Sequence, residues 1–149
     1  MRLKDHAVVI TGAGGGIGRA IAHAFAGEGA AVVVADLGAA ADAAADDIRR
    51  SGGRAVAVRA DVSRSADMRA LAERSVREFG GLDGLVTCAG LGLSGLLLDQ
   101  DEEEWTRVVD VNLNGTYRAI RAALPQMMAQ GRGRIITIVS SARWAATAS

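Results

Sequence analysis

Residues 7–19 constrain this chain more than any other segment. The apolar run Ala7-Val8-Val9-Ile10 leads directly into Thr11-Gly12-Ala13-Gly14-Gly15-Gly16-Ile17-Gly18-Arg19. A continuous apolar run of this length suits a strand covered on both faces. Ile17, Ala20, Ile21, Ala24 and Phe25 then fall at helical spacing towards Glu28, and Gly29 ends the pattern. A buried strand, a glycine-rich turn and an amphipathic helix in this order predict the opening unit of an α/β fold. Glycines there let the backbone approach a pyrophosphate, and the helix start directs N–H groups and a positive dipole end at it.

The same rhythm continues along the chain. Ala31 to Ala35 reads as a second buried strand closing on Asp36, and the Ala-rich stretch Ala39 to Arg50 reads as a helix because alanine is the best helix former. Ala55 to Val58 is a third strand. Ser65 to Phe79 is a helix with Met68, Leu71, Ala72 and Val76 on one face, and Leu82 to Cys88 is a fourth strand. Residues 91–99 form an apolar loop. Acidic Asp101 to Glu104 opens a long helix towards Met128, where the dipole favours negative charge. Trp105, Val108, Val109, Leu113 and Ile120 are expected to face inward, and Pro125 to kink or shorten the helix. Ile135 to Val139 is a fifth strand. Five strands separated by helical crossovers predict a doubly wound parallel α/β sheet of Rossmann type, order 3-2-1-4-5, with ligands at the strands' carboxyl ends.

Composition narrows the function classes. Lys plus Arg and Asp plus Glu are 17 each, so no net field favours nucleic acid or an anionic membrane. Cys88 is the single cysteine, which forbids an internal disulfide and leaves a thiolate zinc site short of ligands. His6 and His23 lack metal-ligand spacing, and no stretch approaches 18 apolar residues. A cytoplasmic compartment, a single domain over 149 residues and no metal are the expectations.

Two familiar phosphate loops fail at the turn. A Walker A loop needs Gly-Lys-Ser/Thr where Gly18 is followed by Arg19-Ala20, and a strict G-x-G-x-x-G from Gly12 meets Ile17 at the third glycine. The pattern that fits is T-G-x-x-x-G-x-G, on Thr11, Gly12, Gly16 and Gly18. Asp36 ends the second strand where a carboxylate accepts hydrogen bonds from an adenosine ribose. Leu37 beside it supplies no positive charge for a 2′-phosphate, so NAD is favoured over NADP.

The T-G-x-x-x-G-x-G turn resembles that of the short-chain dehydrogenase/reductase family, and the resemblance extends along the chain. Asp61-Val62 stands where the family contacts the adenine ring. Cys88-Ala89-Gly90 is similar to the family's Asn-Ala-Gly, with Cys88 replacing an Asn that steadies the central sheet. Asn112 in Asn112-Leu113-Asn114-Gly115 resembles the N-x-x-G motif, whose Asn holds a proton-relaying water; a purely structural Asn112 is the other reading. The segment from Gly133 to Ser140 resembles the strand ending on the catalytic serine, at Ser140 or its neighbour Ser141. The cofactor-binding candidates are Gly12, Gly14, Gly15, Gly16, Ile17, Gly18, Asp36, Leu37, Asp61, Val62, Cys88, Ala89 and Gly90; the catalytic candidates are Ser140 and Asn112.

The resemblance implies NAD-dependent hydride transfer to or from a small carbonyl or alcohol substrate, by a homo-oligomer. It also implies a Tyr-x-x-x-Lys segment, which the spacing puts just past Ser149, so the chain is expected to be an incomplete record and inactive unaided. Tyr117 lies in the preceding helix and Lys4 is the only lysine. A short non-catalytic dinucleotide- or partner-binding protein is the alternative. A methyltransferase shares the turn and the acid, but the Asn112 and Ser140 segments argue against it. Trp144 is a candidate wall for a substrate pocket.

Overall fold

The computed structural model describes residues 1–140. Five parallel strands, Ala7–Thr11 (β1), Ala31–Asp36 (β2), Arg54–Arg59 (β3), Gly84–Thr87 (β4) and Arg134–Thr137 (β5), form one sheet in the order β3-β2-β1-β4-β5. Gly16–Gly27 (α1), Ala40–Arg50 (α2), Ser65–Phe79 (α3), Glu102–Val109 (α4) and Gly115–Gln130 (α5) supply the helices. The order is the one that crossover connections between the apolar runs require. Among the described residues, no helix is long and apolar enough to cross a membrane.

The period-two alternation of strand side chains divides the core in two. Val8, Ile10, Val32 and Val34 face one way, onto Ala22, Ala26, Ala44, Ala45 and Ile48 of α1 and α2. Val9, Val33 and Leu85 face the other way, onto Met68, Leu71, Ala123 and Met127 of α3 and α5. Ala44 and Ala45 are fully buried, so the Ala-rich stretch is a close-packing helix surface as well as a favourable helix sequence. Truncating Leu71 or Ile10, both at or near zero exposure, costs about 2–5 kcal/mol by the usual cavity penalty.

The long helix departs from its expected form. It is interrupted by one π-helical turn, Asp110–Asn114, between α4 and α5. Trp105 and Leu113 are 55% and 66% exposed, so the expectation that they face inward is wrong. A π turn carries extra backbone per turn and rotates everything beyond it, which defeats a single 3.6-residue period drawn across both halves. The inward stripe belongs to α5 instead, at Gly115, Ala119, Ala123 and Met127. Pro125 does not end α5, which continues to Gln130. β4 is shorter than Leu82–Cys88 and β5 lies one residue earlier at its start and two at its end than Ile135–Val139.

Candidate functional site

β1 delivers Thr11 to the carboxyl edge of the sheet, and the chain turns there on Gly12, which has φ +66°. A Cβ at Gly12 would lie 2.7 Å from the backbone of Ala89, and one at Gly18 would lie 2.2 Å from the Gly12 carbonyl oxygen. Those two glycines are therefore demanded by backbone meeting backbone. Ala13 N–H donates to the Ala35 carbonyl at 3.0 Å, laying the turn against the end of β2. No side chain caps α1, whose N-cap is Gly15, so its first N–H groups remain for an anion. Arg19 is turned away into an ion pair with Asp47 of α2.

Asp36 joins this turn from β2. Its Oδ2 accepts from Gly14 N–H at 2.9 Å and its Oδ1 from Gly38 N–H at 3.3 Å, which fixes the carboxylate beside the glycines while leaving further lone pairs. Arg59, the β3 partner of Asp36 in the sheet register, donates through Nε to the Leu37 carbonyl at 3.0 Å. Asp61 follows β3. Its Oδ1 accepts from the Ser63 hydroxyl at 2.7 Å and the Ser63 N–H at 2.8 Å. Those bonds, the hydroxyl foremost, hold its carboxyl below the ordinary range against partial burial, with Arg64 and Arg107 adding positive charge.

The segment after β4 closes the other side. Thr11 Oγ1 accepts from Cys88 N–H at 3.2 Å and Ala89 N–H at 3.3 Å, so the link between the two central strands is made by a β1 hydroxyl. Cys88 packs against the α1–α2 half of the core, and burial pushes its thiol upward in pKa, which is the behaviour of a small apolar residue and not of a nucleophile. Asn112 is exposed, although it stands beside Val111 and Leu113 in the helix pattern. Its side chain spans the loop instead: Oδ1 accepts from Leu91 N–H at 2.8 Å and Nδ2 donates to the Leu91 carbonyl at 2.9 Å. The π turn is what lets Val111 line the cleft while its neighbour Asn112 reaches the loop after β4.

Together these residues wall a cleft of about 470 Å³. Gly12, Gly15, Asp36, Leu37, Asp61 and Val62 line it, together with Cys88, Ala89, Gly90, Arg107 and Val111. Gly14 touches it through Asp36. Gly18 is buried beneath the turn, whereas Gly16 is exposed and Ile17 is 64% exposed; none of these three is among the residues lining the cleft. Ser140 stands just beyond β5, whose register is extended by Ile138 N–H donating to the Thr87 carbonyl at 2.9 Å, and is not among the cleft's lining residues. Ser141 and Trp144 lie outside the described residues.

Sequence reasoning missed Arg107, Thr11 as a strand tie, and Arg59. Thr11 carried a signal, since a threonine ending a buried strand has a hydroxyl that must be satisfied. Arg107 and Arg59 carried none, because only the folded geometry places them.

The sequence profile of the family described as short chain dehydrogenase matches residues 6–148. The short-chain reductase protein NovJ of Streptomyces niveus is 43% identical over 93% of this chain and 53% of its own length. The peroxisomal hydratase-dehydrogenase-epimerase of Saccharomyces cerevisiae is 41% identical over 95% of this chain and 17% of its own. A 7α-hydroxysteroid dehydrogenase solved with NADH and 7-oxo glycochenodeoxycholic acid superposes with a TM-score of 0.92, at 36% identity over 98% of this chain and 57% of that one. The chain thus spans at most about half the length of these curated relatives. With its strand order, its glycine turn and the match over residues 6–148 in agreement, the chain belongs to the short-chain dehydrogenase family.

Proposed function

We propose that the protein containing these residues is an NAD(H)-dependent oxidoreductase that transfers a hydride between nicotinamide and a carbonyl or alcohol. The observation that carries the NAD preference is Asp36, whose carboxylate is locked by Gly14 and Gly38 at the mouth of the glycine turn. Bound there, the cofactor supplies the hydride chemistry; the chain's own residues bind and orient. Amide groups of the turn and the start of α1 meet the pyrophosphate. The unused lone pairs of Asp36 accept from the ribose hydroxyls, and the same charge repels a 2′-phosphate. Asp61 and Val62 meet the adenine. Ser140 donates a hydrogen bond to the reacting oxygen, stabilising the charge that develops on it. Asn112 fixes the loop after β4 through Leu91, with its second Nδ2 hydrogen left for a water.

A homo-oligomer is part of the same reading. Trp105, Leu113, Leu124 and Met128 along α4–α5 are all at least 40% exposed, an apolar set that a second copy would cover.

Titration with NADH and NADPH tests the cofactor assignment. NADH binds more tightly to the wild type, and Asp36→Ala weakens it by roughly tenfold, the loss of a charge-assisted hydrogen bond, while narrowing the preference over NADPH. Tighter binding of NADPH by the wild type overturns the assignment.

A further inference from the structure

Arg107 has no role in the reading above, yet it stands in the cleft. It is an exposed residue of α4 whose side chain lines the same space as Asp36, Asp61 and Val62. Glu103 and Glu104 stand one helical turn back on α4 with no ion pair to Arg107 among the described residues, and the other nearby carboxylates are committed elsewhere. Asp110 pairs with Arg118 at 2.7 Å and accepts from Asn114 at 3.0 Å, and Asp101 accepts from Glu103 N–H at the helix start. The Arg107 guanidinium has no hydrogen bond or ion pair among the described residues. Its charge is nonetheless felt by Asp61, which puts it at the Asp61 end of the cleft. Ala60 and Val62, which flank Asp61 in the chain, give that end an apolar lining, a surface suited to a flat ring. A guanidinium is planar and weakly hydrated, so it can lie flat on an aromatic ring, a parallel stack that the compact, strongly hydrated ammonium cannot form.

We propose that Arg107 is a specificity-determining residue that stacks on the adenine of the bound cofactor, so that the base is held between the apolar wall and a cation supplied by α4. Asp61 completes the subsite from the edge: Ser63 occupies its Oδ1, and its other oxygen accepts from an exocyclic amino group. This inference rests on the cofactor reading, and it concerns only the adenosine half of the molecule.

The test uses the full-length protein and two probes, NADH and ADP-ribose, titrated against wild type, Arg107→Ala and Arg107→Lys. Arg107→Ala weakens both probes by the same factor, roughly 3- to 10-fold from the loss of a cation–π contact. Arg107→Lys recovers little of it, because charge is kept and the planar stack is lost. The melting temperature of the free protein stays at the wild-type value in both variants. Full recovery by lysine assigns the contact to a phosphate and overturns the stack. A loss confined to NADH places Arg107 on the nicotinamide half and overturns it too. Unchanged affinity in both variants removes Arg107 while leaving the cofactor reading intact, whereas a wild type that binds neither probe removes both.

Discussion

The two ends of the parallel sheet handle the same problem in opposite ways. Every parallel strand leaves backbone groups without a ladder partner at its ends. At the amino end the molecule satisfies them from within. Asp83, with a side chain 6% exposed, accepts from Ala7 N–H at 2.9 Å and from Arg132 Nε at 2.8 Å. Its backbone accepts from Arg134 N–H and donates to the Ala7 carbonyl, so one residue aligns β1, β4 and β5. Gln130 adds a pair of bonds to the backbone of Leu82, at 3.0 and 3.2 Å. At the carboxyl end the turns are tied to one another through Thr11, Asp36 and Asn112, but α1 has no side-chain cap and its first N–H groups are left over. Stability is concentrated at one end and binding capacity at the other. Substitutions at the two ends should therefore move different observables.

The largest effect is expected at Gly18, whose replacement disturbs both stability and binding. A Cβ there meets the Gly12 carbonyl oxygen at 2.2 Å and its carbon at 2.8 Å, and backbone cannot yield as a side-chain tip does. Gly18→Ala should cost about 3 kcal/mol of stability by overpacking and lower NADH affinity more than tenfold, because the turn that presents its amides must shift. Thermal melts and NADH titration on the same sample check this. Wild-type values for both would mean that the turn is far more plastic than the close approach implies.

Asp83→Ala comes next and should separate the two ends. It leaves Ala7 N–H, on a residue 2% exposed, without an acceptor, at about 2–3 kcal/mol. NADH affinity should stay within twofold, since nothing at the carboxyl end moves. Burial alone would raise the Asp83 carboxyl, but the Ala7 N–H and Arg132 outweigh it and hold the group below its ordinary range. A carboxyl depressed in the folded state gives stability that is full above its unfolded pKa, about 3.9, and is lost as pH falls through the lower folded value. The gap between wild type and Asp83→Asn should accordingly shrink on acidification below about pH 4. A gap that widens there would reverse the assigned sign.

What was legible in the sequence follows the same division by range. The strands, the Ala-rich α2 and the glycine turn are written in contiguous residues, and a period of 2 or 3.6 recovers them. Asp36 was legible because its role depends on the strand it ends. The amino-end latch was not, since Asp83 meets Ala7 and Arg132 at separations of 76 and 49 residues, and nothing local marks an aspartate as buried. Trp105 and Leu113 were misplaced for one shared reason. The π turn at Asp110–Asn114 changes the phase of the helix, so an apolar stripe extrapolated from α5 points the wrong residues inward on α4.

The smallest effect concerns Gln130, and it sharpens the comparison by asking whether the amino end is one latch or two. Gln130 Oε1 accepts from Leu82 N–H and also from Gln126 Nε2 at 2.8 Å, while its own Nε2 donates to the Leu82 carbonyl. Gln130→Ala removes all three. Although Leu82 is itself 1% exposed, the space that the half-buried Gln130 side chain vacates at the helix end admits water to its backbone, so the net cost should be about 1 kcal/mol. If Asp83 and Gln130 act independently, the double variant costs the sum of the singles within about 0.5 kcal/mol. They flank the same start of β4, however, and once Asp83 no longer aligns β1 with β5 the Leu82 segment has less reason to hold its position. The double variant should then cost less than the sum, as measured by denaturant midpoints at constant m value. Strict additivity would divide the amino end into two separate devices, each serving its own strand pair.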